Sequence, residues 1–398
     1  MKHYVIIGNG AAGASAAEQI RKRDKEGIIT VFTREKYPYY YRPRLPDYIT
    51  GEVKLEDFTM HALSRYKEWN VDLHLGESVI AIDPEKKEVT GDKAGRIPYD
   101  ELLLAAGSSS FLPPIAGSEK TGVFTLRTID DADAIITASP KTKTAILVGG
   151  GLLGLEAGNA LIKLGLNVEV IEFMDRLLPR QLDLKSAKLL QGQLEEMGFS
   201  FHLSARAQEV KGENTATGLM LADGTIIEGG IILFSAGVRP NLELARSAGL
   251  EMDKAVKVDQ FMRTSVPGIL AAGDIAEYGG QGGGIWPIAM AQGKTAGASM
   301  AGDPCAYVPQ APSTTLKVAG IDLISAGNID AENSMISKCY AAGKVYRKIV
   351  LEGDIIKGII FLGSTNGAHK CIAAMNEGRH LGSLAEELDR ENFDFSRI

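Results

Sequence analysis

The chain carries the same glycine pattern twice, each time between a short apolar run and an alanine- and leucine-rich stretch. Gly8-Asn9-Gly10-Ala11-Ala12-Gly13 follows Tyr4 to Ile7, and Gly149-Gly150-Gly151-Leu152-Leu153-Gly154 follows Ala145 to Val148. In a strand–turn–helix setting the first glycine permits a tight turn, the second lets backbone approach a pyrophosphate, and the third lets helix pack on strand. The unpaired N–H groups at the helix start hold the negative charge. One such match is weak evidence. Two in the right setting predict two nucleotide-binding units and two bound dinucleotides.

The residues that follow extend each pattern into a β-α-β unit. In the first, a helix from about Ala11 to Lys22, a charged turn at Arg23-Asp24-Lys25-Glu26-Gly27 and a strand Ile28 to Thr33 lead to Glu35. That carboxylate reaches a ribose hydroxyl if the charged turn absorbs the extra residues. In the second, a helix to about Leu164, a turn at Gly165 and a strand Val168 to Ile171 end in Glu172. An acid there accepts from the ribose 2′- and 3′-hydroxyls and repels a 2′-phosphate, which favours NAD over NADP. Phe173 and Met174 follow it, and Arg176 is the nearest cation.

Two further apolar runs end alike in a glycine turn, Glu101 to Gly107 and Ile231 to Gly237, and a third, Pro267 to Asp274, ends in Gly273-Asp274. Pro113-Pro114 marks a junction. A glycine-rich loop, Gly279 to Gly284, precedes Trp286-Pro287 and a helix from about Ile288 to Met300. From Cys305 onward strands are predicted over Leu316 to Ala326, Val345 to Leu351 and Ile355 to Leu362. A last helix, Ala368 to Glu377, takes its cap from Ser364, Thr365 or Asn366. The fold class is α/β, two Rossmann-like domains with a small α+β domain after them.

A length of 398 residues fits two or three domains, and a net charge of −7 argues against a broad nucleic-acid face. No apolar stretch has bilayer length, and the first residues are too short in apolar content for a signal peptide, so a cytoplasmic protein without membrane association is expected. Cys305, Cys339 and Cys371 lack any Cys-x-x-Cys spacing and are expected as small buried hydrophobes. No metal site is expected.

The order Gly8-x-Gly10-x-x-Gly13, Ala105-Ala106-Gly107, Gly149-x-Gly151-x-x-Gly154-x-Glu156, Gly237-x-Arg239-Pro240-Asn241 and Ala272-Gly273-Asp274 resembles the FAD- and NAD(P)H-dependent pyridine nucleotide-disulfide oxidoreductase superfamily. Tyr39-Tyr40-Tyr41-Arg42-Pro43-Arg44-Leu45 and Thr314 to Asp322 are similar to the branch holding NADH:rubredoxin oxidoreductases and the flavoprotein part of assimilatory nitrite reductases. The resemblance implies a glutathione reductase-type fold: an FAD domain over 1–113 and 240–304, an inserted NAD(P)H domain over 114–239, and a C-terminal domain over 305–398. It implies FAD on Gly8, Gly10, Ala12, Gly13, Glu35, Arg42, Ala106, Gly107, Gly273 and Asp274, with Val79 offering backbone groups to adenine. The helix start near Ile288 would face the flavin. NADH, more than NADPH, would lie on Gly149, Gly151, Leu153, Gly154, Glu172 and Gly237, with Glu156 as the catalytic, orienting group.

Related ferredoxin reductases and apoptosis-inducing-factor-like flavoproteins place a lysine opposite that glutamate; here the matching residue is Asp47. Two carboxyls that approach each other should hold one proton above its normal pKa, unless Arg44 supplies the positive charge. With no cysteine before Cys305, a thiol-based disulfide or peroxide mechanism is excluded. The expected reaction passes hydride from NADH to FAD and then electrons to a small carrier, rubredoxin or ferredoxin, docked through Arg42, Arg44, Lys317, Lys344, Arg347, Lys348 and Lys370. A homodimer is compatible with this. The alternatives are an NADH oxidase or diaphorase with a small-molecule acceptor, and a redox-gated NADH-binding protein of apoptosis-inducing-factor type.

Overall fold

The computed structural model describes residues 1–309 and 313–398, with 313–318 described as backbone only. They form two compact units, one of residues 1–44, 53–109 and 238–310, the other of 45–52, 110–237 and 311–398.

The first unit is built on a five-stranded parallel sheet in the order Ile269–Ala271, Glu101–Leu104, His3–Ile7, Ile28–Thr33, Val71–Leu75. Its central strand is buried from Tyr4 to Ile7 because both faces are covered. Tyr4 and Ile6 join one core with the first fingerprint helix, Ala11–Arg23, while Val5 and Ile7 join another with Val79, Ile82 and Val89. Small side chains let the helix Trp286–Met300 lie against the fingerprint helix at backbone distance. A Cβ on Gly297 would meet Ala16 O at 2.5 Å and one on Gly293 would meet Ala12 Cα at 2.7 Å. The charged turn is closed by the buried Arg21, which donates to the carbonyls of Asp24, Gly27, Trp69 and Asn70.

At the carboxyl end of Val71–Leu75 the His74 ring lies between Asp72 and Glu77, at 2.9 and 2.8 Å. Burial opposes a charge on His74, but the two carboxylates outweigh it and raise its pKa above the ordinary 6.5. A raised histidine pKa contributes stability that is fully present below the unfolded value and lost as pH rises through the folded one. The thermal midpoint is therefore expected to fall between about pH 6 and 8 by more in the native protein than in a His74→Asn variant. Equal falls in the two proteins would remove this role.

The second unit repeats the parallel plan in the order Val123–Phe124, Ile231–Phe234, Thr144–Val148, Asn167–Ile171, Phe199–His202. It also holds an antiparallel sheet in the order Ser313–Val318, Ile321–Gly327, Ile355–Leu362, Val345–Glu352, Ile336–Ala342. The helix Ala368–Glu377 covers this sheet through Ala368, Cys371 and Ala374.

Several details correct the sequence reading. Leu316 to Ala326 is not one strand: Ala319 turns the chain with φ +52°, followed by Gly320, and splits it in two. The edge strand Ile336–Ala342 went unpredicted because its sequence does not alternate. The last helix is capped by Gly367 at φ +85°, with no side-chain cap from Ser364, Thr365 or Asn366. Part of the Gly279–Gly284 loop is a short hairpin, pairing Ala276–Tyr278 with Gln281–Gly282. Cys371 is buried and its thiol is pushed up to about 12 by that burial, but Cys305 and Cys339 are exposed.

Candidate functional site

In each parallel sheet the glycine pattern sits at the carboxyl edge, where doubly wound sheets take ligands. The three glycines of each pattern are required for two different reasons. Gly8 has φ +110°, and a Cβ there would strike Ala105 O; a Cβ on Gly13 would strike Gly8 O. Gly149 has φ +116°, with Ser235 O 2.5 Å from an added Cβ, and Gly154 would meet Gly149 O at 2.5 Å. These four are fixed by the protein's own packing. An added Cβ on Gly10 or Gly151 meets nothing within 4 Å. Each is the N-cap of its helix and offers no side chain to the first-turn N–H groups, so each cradle opens on space suited to a phosphate.

Around the first cradle the strand ends converge. The Asn241 side-chain amide donates to Ala106 O at 2.7 Å, the Asn241 backbone N–H donates to Gly107 O at 3.0 Å, and Ser109 Oγ donates to Asn241 Oδ1 at 2.7 Å. Ser108 Oγ donates to Asp274. Gly273 N donates to Gln292 Oε1 at 2.8 Å, and Gly273 lies beside Ala12, 3.1 Å from an added Cβ. Arg42 and Tyr40 both donate to Glu35. Burial works against the Arg42 charge, but Glu35, with Asp274 adding to it, raises its pKa. Trp286, at the start of its helix two residues before Ile288, stacks on Tyr39 with centroids 5.6 Å apart and meets Tyr41 edge-on. Val79 is buried, its strand pairing with Glu88–Gly91.

Sequence reasoning missed Ser108, Gln292 and Asn9. Asn9 Oδ1 accepts from Tyr66 OH at 2.8 Å, while its buried Nδ2 has no partner. A buried amide donor left unsatisfied inside a glycine cradle fits a ligand oxygen.

At the second cradle Glu172 faces inward. Its Oε2 accepts from Gly150 N at 2.6 Å and its Oε1 from Met174 N at 2.8 Å, so it holds the glycine loop. Each oxygen keeps a further lone pair. Arg176 is turned onto Asp175 at 2.9 Å. Leu153, one residue into the helix, is exposed, and Gly237 at φ +91° follows the Ile231–Phe234 strand.

Glu156 lies in the second turn of the helix Leu152–Lys163, against which the short helix Leu45–Ile49 packs with its Asp47. Burial raises the Glu156 pKa to about 7; the Ala319 N–H, donating to Oε1 at 3.3 Å, opposes this, Asp47 adds to it, and Lys163 offsets part. The two carboxyls sit on packed helices, and Asp47 favours the protonated form of Glu156.

The expected docking cations divide. Arg347 and Lys348 are buried, which removes them from any docking face. The Lys348 ammonium donates to Asp330 O at 2.7 Å and Asn333 Oδ1 at 2.8 Å and lies 3.5 Å from Asp183. Arg347 sits between the Tyr340 and Phe395 rings. Lys344 and Lys370 are exposed, and the Lys317 side chain lies outside the described residues.

The chain belongs to the pyridine nucleotide-disulphide oxidoreductase family, whose model matches residues 2–293. Residues 312–379 match the C-terminal domain of rubredoxin NAD+ reductase. It is 36% identical over 380 residues to a nitrite reductase [NAD(P)H] of Bacillus subtilis, covering 94% of this chain and 47% of that protein. It is 29% identical to the NADH-rubredoxin oxidoreductase of Clostridium acetobutylicum, with 96% of each chain covered. A solved NAD-dependent persulfide reductase from A. fulgidus has TM-score 0.90 and 28% identity over 96% of this chain and 78% of that one. The chain spans about half the length of the nitrite reductase it matches. FAD and NADH are the cofactors of this family, and the two open glycine cradles fit both. Among the described residues no helix is long and apolar enough to cross a membrane, and no group of His, Cys, Asp and Glu could hold a metal ion.

Proposed function

We propose that the chain is an FAD-dependent NADH oxidoreductase that passes electrons to a small carrier protein of the rubredoxin or ferredoxin kind. The observation that carries this reading is the pair of glycine cradles, each open at its middle glycine, with different side chains around them. Asp274, set by Ser108, suits the sugar-alcohol chain of FAD, and Glu172 suits an unphosphorylated ribose.

FAD, when bound, accepts a hydride equivalent and gives its electrons up singly or in pairs. The protein's part is to bind and orient. Gly8, Gly10, Ala12 and Gly13 hold the FAD pyrophosphate with Arg42 beside it, Glu35 takes a ribose hydroxyl, and Val79 presents backbone to adenine. Ala106, Gly107 and Gly273 shape the opening, and the helix start at Trp286 to Ile288 turns its positive end toward the flavin. Gly149, Gly151, Leu153, Gly154 and Gly237 frame NADH, with Glu156 orienting it. On this reading residues 1–113 and 240–304 serve FAD, 114–239 serve NADH, and 305–398 close the fold. No cysteine precedes Cys305, so the residues that would hold FAD supply no disulfide to relay electrons. A cytoplasmic setting and a carrier bound partly through Lys370 complete the proposal.

Anaerobic mixing tests it. NADH should bleach the flavin absorbance faster than NADPH at equal concentration. Glu172→Ala removes both the ribose acceptor and the hold on Gly150, so its KM for NADH should rise roughly 10-fold or more while the preference over NADPH narrows. Unchanged kinetics with both nucleotides would remove Glu172 from the site.

A further inference from the structure

Phe173 follows Glu172 at the carboxyl end of the strand Asn167–Ile171 and is 69% exposed. A large apolar ring in water at that place does nothing for the core. Its backbone, however, is held on both sides. Glu172 N donates to His202 O at 2.9 Å and Ala205 N to Glu172 O at 3.0 Å, while Ser204 N donates to Met174 O at 2.9 Å. The Glu172 carboxylate adds the bond from Met174 N. A rigid segment therefore presents the ring to solvent next to the acid that stands at the ribose position. Met174, whose N–H donates to Glu172, and Leu153, which precedes Gly154 in the chain, are 42% and 52% exposed. Single exposed hydrophobics are ordinary, but three large ones on the two short segments that Glu172 ties together at one open glycine cradle need a reason.

We propose that Phe173 is the platform on which the adenine ring of NADH stacks. This rests on the reading of the second cradle as the NADH site. In that reading Glu172 takes the adenosine ribose, and the base attached to that ribose lies beside the residue next to the acid. A flat aromatic ring fixed in advance binds a base face without having to be ordered. It contributes affinity and leaves the hydride step alone, so its removal should appear in KM and not in kcat.

The test uses the full chain with FAD bound. Phe173→Ala is expected to raise KM for NADH about 5- to 150-fold, the equivalent of the ~1–3 kcal/mol that stacking one base on an aromatic ring contributes, with kcat within about two-fold. With reduced nicotinamide mononucleotide, which has no adenosine half, native protein and variant should be indistinguishable. Phe173→Trp should bind NADH at least as well as the native protein. An unchanged NADH KM in Phe173→Ala, or an equal loss with the mononucleotide, overturns the platform while leaving the NADH site standing. A native protein whose flavin NADH does not reduce overturns both.

Discussion

Gly293→Val is expected to yield a protein that purifies without flavin and unfolds at a lower temperature. A Cβ on Gly293 would strike Ala12 O and lie 2.7 Å from Ala12 Cα and 2.8 Å from its carbonyl carbon, all backbone of the first fingerprint helix. Backbone cannot rotate out of the way, so the helix Trp286–Met300 must move off. With it would go Gln292, whose Oε1 accepts from Gly273 N. Overpacking of this kind costs about 3 kcal/mol, the upper part of the usual range. Gly10→Ala is the informative partner. Its added methyl meets nothing within 4 Å and its φ of −87° suits alanine, so the apo-protein should be as stable as the native one. The same methyl occupies the space assigned to the pyrophosphate, and flavin affinity should drop on the order of 100-fold. The flavin-to-protein absorbance ratio and thermal unfolding of both variants separate the two kinds of glycine. A Gly10→Ala protein that keeps its flavin would mean the pyrophosphate lies elsewhere.

The second large effect concerns pH. Glu156, with its pKa at about 7, is a neutral acid below that pH and a carboxylate above it. A carboxyl whose folded pKa is raised favours the folded state less as pH climbs from its ordinary value to the raised one, so the protein stores a charge there at a cost in stability. Removing the like charge with Asp47→Asn should move the Glu156 titration down, and Asp47→Lys should move it further by adding an opposite charge. The rate of flavin reduction by NADH is expected to follow the native titration near pH 7. In Glu156→Gln, which cannot ionise, that inflection should vanish, leaving the rate near the native low-pH limit. Carboxyl stretching bands in infrared difference spectra between about pH 5 and 9 give the titration directly. An inflection that survives Glu156→Gln would assign it to another group.

What could be read in advance depended on whether the physics was local. Glycine at Gly8, Gly13, Gly149 and Gly154 answers to backbone contacts inside one strand–turn–helix or with the adjoining strand end, so spacing alone displayed both cradles. Ser108 and Gln292 act across long separations, on Asp274 and Gly273, and two ordinary polar residues gave no sign of it. Lys348 read as a surface charge because its acceptors, Asp330 O and Asn333 Oδ1, lie across a turn whose Asp330 and Asn333 both adopt positive φ. Arg347 misled likewise, since aromatic rings and the Arg390 carbonyl receive it in place of a carboxylate. The Asp47–Glu156 pair stood between these cases: its two carboxyls were visible, and only the packing of the helices that carry them could say that they interact.

On the proposed function, electrons enter from NADH and leave from the flavin to a small protein carrier. Anaerobic double mixing addresses it most directly: NADH first bleaches the flavin, and oxidised rubredoxin, ferredoxin or air-saturated buffer is then added. One of the carriers should restore the flavin absorbance at a rate matching turnover, well ahead of oxygen, with thiol-blocked protein behaving as untreated. Reoxidation fastest with oxygen, a reduced flavin that persists with every acceptor, or loss of carrier reduction on thiol blocking would contradict it.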